Sequence, residues 1–141
     1  QVCRAWAGAD DLLEPSVHTL ESLQALTQGE LATTVIDATG SAGSMKRAFE
    51  YAGNGGNVVY VSLVQDDIHF SDPDFHKKEL TLMGSRAATR AEFQMVIDSL
   101  KSGEVDGDAY VTHSAPFEQA LPAFQTWLLP ESKVIKAHFE F

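Results

Sequence analysis

The sequence predicts an α/β fold with a parallel sheet and helices over both of its faces. Three observations carry that reading. Strand-like and helix-like segments alternate along the 141 residues, the pattern of layered α/β domains. "ATTVIDAT" (Ala32–Thr39) and "NVVYVSL" (Asn57–Leu63) are continuous apolar runs, as expected of strands covered on both sides. Three βα units early in the chain favour a right-handed parallel arrangement. Hydrophobic residues make up 44% and charged residues 21%, an ordinary globular composition. The length fits a single domain, residues 1–141.

The elements follow in order. "QVCRAWAGAD" reads as the last turns of a helix, with Gly8 as its C-terminal glycine. "ADDLLEP" gives a short strand stopped by Pro15. In "HTLESLQALTQGE", Leu20, Leu23 and Leu26 recur at helical spacing and Gly29 closes the helix. "ATTVIDAT" is a β-branched strand. In "SMKRAFEYAG", Met45, Ala48, Phe49 and Ala52 line one helix face and Gly53 ends it. "GNGGN" (Gly53–Asn57) is the turn into "NVVYVSL". The polar stretch "VQDDIHFSDPDFHKK" reads as a loop, and "ELTLMGS" (Glu79–Ser85) as the next strand. "TRAEFQMVIDSLKSG" is the clearest helix. Thr89 and Glu92 form a capping box, Phe93, Val96, Ile97 and Leu100 form its buried face, and Gly103 stops it. "AYVTHSA" is strand-like. "PFEQALPAFQTWL" is a short helix with Pro116 near its first turn and Pro122 breaking or kinking it. "KVIKAHFEF" closes the chain as a strand whose apolar members are Val134, Ile135, Ala137 and Phe139.

Charge and composition exclude several functions. A formal net charge of −10, without clustered Lys or Arg, argues against nucleic acid and against anionic membrane surfaces. No apolar run approaches the roughly 20 residues of a membrane span. The single cysteine, Cys3, can form no internal disulfide, so a cytoplasmic protein is expected. Cys3 reads as a buried helix thiol. His18, His69, His76, His113 and His138 show no metal-binding spacing, so no metal site is expected from this chain.

Two glycine stretches could mimic a nucleotide loop. "GNGGN" precedes a strand, whereas a phosphate loop must follow one. "VIDATGSAGSMKRAF" has the right order of strand, loop and helix, but Gly40-Ser-Ala-Gly43 is G-x-x-G and not G-x-G-x-x-G. The full pattern also wants an acidic residue about 20 residues on, where this chain has "VSL". The stretch reads as a βα turn with Ser41 or Ser44 as the helix N-cap.

Five blocks in sequence order, "VIDATG", "GGNVVYVSL", "FHKKELTLMGSRAATRAEF", "VTHSAPFEQALPAF" and "VIKAHFEF", resemble the medium-chain, zinc-type alcohol and polyol dehydrogenases. The resemblance covers nearly the whole chain. "ELTLMGSR" is most similar to the sugar-acid and polyol branch. The resemblance implies an incomplete Rossmann-like parallel sheet that lacks the first two strands. It implies a parent enzyme passing hydride between a secondary alcohol and NAD or NADP, with zinc bound outside this chain. The 141 residues are expected to be the C-terminal part of the cofactor domain, inactive alone and binding NAD weakly or not at all.

The resemblance also assigns residues. Ala38, Thr39 and Gly40 would lie beside the adenosine side of the cofactor. Val61, Ser62 and Leu63 would face the nicotinamide. Met83 and Gly84, with Leu82 and Ser85, would present backbone groups to its carboxamide. Lys136 would lie near the pyrophosphate or be a solvated lysine. Arg86 would shape the mouth of the site, and Ala87 stands where that branch often has Asn. Asp37 reads as structural. His76 and His113, with no carboxylate paired to them in the sequence reading, are expected to be structural too.

Without the first strand, "TTVIDAT" would keep an unpaired edge and "ADDLLEP" would lack a neighbour, so oligomerisation or rearrangement of the N-terminal segment is expected. A homodimer through the far sheet edge near "SDPDFHKKELTL" is the family default. The expected partners are a small-molecule cofactor and substrate. Two other readings stand beside this one: a non-enzymatic Rossmann-like binding or dimerisation module, and a zinc-free quinone reductase of the same superfamily.

Overall fold

The computed structural model describes residues 7–141. Cys3 and most of the helix tail read in "QVCRAWAGAD" lie outside the described residues. Gly8, the proposed stop of that helix, has φ 63°. The chain divides into two compact units. One holds Leu13–Ala87. The other holds Ala88–Phe141 with the described residues before Leu13.

The first unit carries α1 (Thr19–Leu26), β1 (Ala32–Asp37), α2 (Ala42–Tyr51), β2 (Ala52–Tyr60), α3 (Asp72–Lys77) and β3 (Thr81–Gly84). The three strands pair in the order β1-β2-β3, all parallel. That is the order of strands four, five and six in a 3-2-1-4-5-6 doubly wound sheet. β1 is an edge of this sheet, as the sequence implies. "ADDLLEP" forms no strand. A strand needs a hydrogen-bonded neighbour to complete its ladder, and the sheet of described strands ends at β1.

Helix α2 packs on β1 and β2, and α1 packs on α2. Ser41 is the N-cap of α2, its Oγ accepting from the Ser44 N–H at 3.4 Å. The core joins Ala48, Phe49, Ala52, Val58 and Leu80, with Val35, Tyr60 and Phe75 packed against it. Phe49 stacks on Phe70 at 4.5 Å and meets Phe75 edge-on at 6.1 Å.

Two boundaries differ from the sequence reading. Strand β2 begins at Ala52, directly after α2, so Gly53 does not end a helix. The register jumps from Ala32 opposite Ala52 to Thr34 opposite Asn57, which makes "GNGG" an irregular part of the strand. Gly53 is needed there for close approach, because a Cβ would run into the Glu30 carbonyl. The stretch read as a loop contains α3, capped by Ser71 with Pro73 in its first turn. Its seating comes from Phe75 in the aromatic cluster, a tertiary contact that local pattern does not reveal.

The second unit carries α4 (Arg90–Ser102), α5 (Gly107–Tyr110), β4 (His113–Pro116), a 3₁₀ turn (Phe117–Gln119), α6 (Ala120–Trp127), a second 3₁₀ turn (Pro130–Ser132) and β5 (Ala137–Glu140). β4 and β5 form a parallel two-stranded sheet. The capping box of α4 forms, with Thr89 and Glu92 each satisfying the other's backbone, and Gly103 closes the helix at φ 76°. The face read as buried is not: Phe93, Val96, Ile97 and Leu100 are 61, 56, 43 and 44% exposed. Periodicity marks a face able to be buried, not what buries it. Pro122 breaks nothing. It lies in the first turn of α6, where its missing N–H has no helical partner to lose. Val134 and Ile135 precede β5 instead of belonging to it.

Candidate functional site

The carboxyl ends of β1 and β2 are joined by one side chain. Asp37, the last residue of β1, is 4% exposed. Its Oδ1 accepts from the Thr39 N–H at 3.1 Å, the Thr39 hydroxyl at 2.9 Å and the Ser62 hydroxyl at 3.3 Å. Its Oδ2 accepts from the Ser44 hydroxyl at 2.6 Å. The bond to Thr39 is an Asx turn, a short polar side chain bonding the backbone two residues on. The Asp37 carbonyl accepts from the Val61 and Ser62 N–H groups at 2.9 and 3.3 Å. Burial pushes the carboxyl up, but the donors from Ser44, Thr39 and Ser62 outweigh it and hold Asp37 below the ordinary carboxylate value of 3.8. Tyr60 stands nearby, donating to the Met45 carbonyl at 2.7 Å. Burial, and then the charge of Asp37, push its phenol upward.

Beyond the ends of β2 and β3 lies a cavity of about 490 Å³. Val61, Ser62 and Leu63 line it from one side and Gly84, Ser85 and Arg86 from the other. Two sequence-predicted groups therefore meet. Val61 and Leu63 are 50 and 81% exposed, an apolar surface open to a ligand. The Ser85 N–H is already used, donating to the Tyr60 carbonyl at 2.8 Å. β3 is the other edge of the sheet. A parallel edge strand turns alternate residues' backbone groups outward; with Ser85 turned to β2, Met83 faces β2 as well, which leaves Leu82 and Gly84 as the positions able to offer them.

Other predicted residues stand apart from that cavity. Ala38, Thr39 and Gly40 are exposed in the β1–α2 turn and do not line it, though Asp37 ties the turn to Ser62. Lys136 is in the second unit, where its carbonyl accepts from the Thr112 and His113 N–H groups and its side chain is exposed. His76 does have a carboxylate partner, correcting the sequence reading. Its Nδ1 is 3.0 Å from Asp72, and both side chains are exposed. His113 accepts or shares a proton with the Thr112 hydroxyl at 2.9 Å and meets Trp127 edge-on.

Sequence reasoning missed Ser44 and Tyr60 as parts of this region. The Asp-x-Thr spacing signals the turn, but nothing local tells that Ser44 aims inward. Among the described residues no group of three or more His, Cys, Asp or Glu is placed to hold a metal ion. Nor is any described helix long and apolar enough to cross a membrane.

Comparison with known proteins places this geometry. The family model for zinc-binding dehydrogenases matches residues 1–102. The chain is 37% identical over 131 residues to L-galactonate-5-dehydrogenase of Escherichia coli K12, covering 92% of this chain and 38% of that protein. It is 25% identical over 118 residues to an uncharacterized zinc-type alcohol dehydrogenase-like protein of Haemophilus influenzae, covering 83% of this chain and 34% of the relative. It thus spans less than two fifths of the length of either. In fold it matches a short chain alcohol dehydrogenase of Escherichia coli CFT073 complexed with NADH, at TM-score 0.83 and 24% identity over 96% of this chain and 40% of that one. It also matches 2R,3R-butanediol dehydrogenase of Bacillus subtilis, at TM-score 0.74 and 21% identity over 93% of this chain and 35% of that one. Those likenesses establish a Rossmann-like α/β fold with parallel sheets. The match over residues 1–102 and the 37% relative establish the rest: this chain belongs to the zinc-binding dehydrogenase family.

Proposed function

We propose that residues 1–141 are part of a single NAD(P)-binding domain, in an enzyme that passes hydride between NAD or NADP and a secondary alcohol on a polyol or sugar acid. The observation that carries this is the cavity at the carboxyl ends of β2 and β3, the end at which parallel α/β sheets bind ligands. The likeness to L-galactonate-5-dehydrogenase supports the sugar-acid class of substrate.

The residues present suit a nicotinamide. Val61 and Leu63 offer apolar contact to a flat ring, and Gly84 leaves the strand end without a side chain. Outward backbone groups of Leu82 and Gly84, on either side of Met83, can orient a carboxamide, needing no special side chain. Ala38, Thr39 and Gly40 would serve the adenosine side, Ser85 would complete the carboxamide contacts, and Lys136 would act near the pyrophosphate. The cofactor, when bound, supplies the hydride acceptor. The described residues do not fit a zinc site.

The sequence contains no G-x-G-x-x-G, so the chain alone is expected to bind NADH weakly. Calorimetric titration should give millimolar or weaker binding; micromolar binding would refute the placement of the glycine-rich pyrophosphate loop outside these residues. The chain is also proposed to form a homodimer through the β3 edge, near Ser71–Leu82. Light scattering should return twice the chain mass of 15.3 kDa, and a clean monomer would refute that contact.

A further inference from the structure

We propose that Asp37 is a positioning residue: its one buried carboxylate clasps the β1–α2 turn to the end of β2, so that the two loops move as a unit. The identity of the ligand between those loops rests on the function proposed above; the clasp does not.

Both oxygens of the carboxylate are engaged, Oδ1 from both sides and Oδ2 by Ser44. Thr39 and Ser44 belong to the turn and the helix after β1. Ser62 follows β2 and is 25 residues away in sequence. The backbone carbonyl of the same residue holds the Val61 and Ser62 amides. Thus one residue bonds the adenosine-side loop through its side chain and the nicotinamide-side loop through side chain and backbone. Tyr60 adds a second strut between the same elements through the Met45 carbonyl.

No described ion pair includes Asp37. Its charge is met by neutral hydroxyl and amide donors alone. Burying a carboxylate is costly unless every acceptor is filled, so loss of any one donor is felt by the others. Three donors share Oδ1, which couples Thr39 to Ser62 directly. A merely structural carboxylate would lower stability throughout the unit. A clasp instead transmits a change at Ser62 to Thr39.

The test uses the ¹⁵N-labelled 141-residue chain. In the wild-type background, Ser62→Ala should shift the Thr39 amide signal; in the Asp37→Ala background it should not. Hydrogen exchange at the Thr39 amide should rise about tenfold or more in Asp37→Ala, the scale for losing a bond to a charged acceptor, while exchange at Val58 stays within about threefold. Should Asp37→Ala not fold, Asp37→Asn takes its place. It removes the charge and replaces one accepting oxygen with an NH2 group, so the donors lose a charged acceptor and Thr39 exchange should still rise severalfold. Equal exchange at Thr39 and Val58, or a Ser62→Ala shift that survives in the Asp37 variant, overturns the clasp. Titration with NADH separates the two readings. Joint saturation of the Thr39 and Ser62 shifts in the wild type, lost in the variant, supports both. NADH-induced shifts that fall elsewhere in the first unit and spare both Thr39 and Ser62 reject the cofactor reading and leave the exchange result to decide the clasp.

Discussion

Replacing Lys78 with Met should destabilise the first unit by about 2–3 kcal/mol. The Lys78 ammonium donates to the carbonyls of Phe49, Glu50 and Ala52 at 3.2, 3.1 and 2.8 Å. Phe49 and Glu50 lie in the last turn of α2 and Ala52 is its C-cap, positions whose carbonyls have no partner within the helix. No glycine cap satisfies them, because the chain passes directly into β2 at Ala52. A positive charge is also favoured at a helix C-terminus by about 0.3–1 kcal/mol. Methionine keeps the apolar stem and removes all three bonds. Glu50 is exposed, and its carbonyl regains water. Phe49 and Ala52 are 8 and 0% exposed, so each of their carbonyls loses about 1–3 kcal/mol if orphaned. Against this stands the cost of burying the ammonium. Burial holds Lys78 below the ordinary lysine value of 10.5, against the opposing pull of Asp74 and Glu50. The unfolded chain therefore binds more protons between the depressed folded value and 10.5, and wild-type stability rises with pH across that window. Urea denaturation followed by circular dichroism measures both effects. A loss below about 0.5 kcal/mol, or an alkaline limb unchanged in Lys78→Met, would refute the reasoning.

Three further outcomes are expected. Val58 is 0% exposed, and Val58→Ala removes two methyl groups at about 0.8 kcal/mol each and leaves a cavity; urea titration should show a loss of about 2–3 kcal/mol. Gly53→Ala drives a Cβ into the Glu30 carbonyl, backbone that cannot swing aside, so thermal unfolding should reveal a loss of about 2 kcal/mol. For Asp37, the net effect of burial and its donors is a folded value below 3.8. Its stabilisation is complete above the unfolded value and disappears as pH falls below about 3.9 toward the folded value. In Asp37→Asn the acid limb of a stability-against-pH series should be shallower by that contribution, and an identical limb would show that Asp37 does not titrate with folding.

What the sequence made legible was whatever local chemistry decides. The capping box of Thr89 and Glu92, the N-cap role of Ser41 and the parallel strands each follow from residues near one another in the chain. Their counterparts depend on partners far away. Helix α3 is a polar stretch whose one anchor, Phe75, meets Phe49 and Phe70 from elsewhere. The glycines of "GNGG" look like a turn until Glu30 is seen pressed against Gly53. The apolar stripe of α4 was read correctly as a stripe and wrongly as buried. Within the candidate site, Val61–Leu63 and Gly84–Ser85 were legible because strand ends converge in a parallel sheet. Ser44 was not, since its inward turn depends on Asp37 lying beneath the first turn of α2.

That placement also explains why the G-x-x-G stretch is unsuited to a pyrophosphate. A phosphate loop presents free N–H groups and an uncompensated helix N-terminus to its anion. Here the Thr39 N–H already donates to Asp37, and the Ser44 N–H to Ser41. The carboxylate itself accepts from Ser44, within the first turn of α2, and so occupies the end of the helix that favours negative charge. A second anion within about 6 Å would meet roughly 3 kcal/mol of repulsion at an effective dielectric of about 20. A neutral adenosine face meets no such opposition. The same side chain that ties the turn to Ser62 therefore biases it toward the uncharged part of a dinucleotide. Titration with inorganic pyrophosphate should leave the Gly40–Ser44 amide signals unmoved, and saturable shifts there would refute the electrostatic argument.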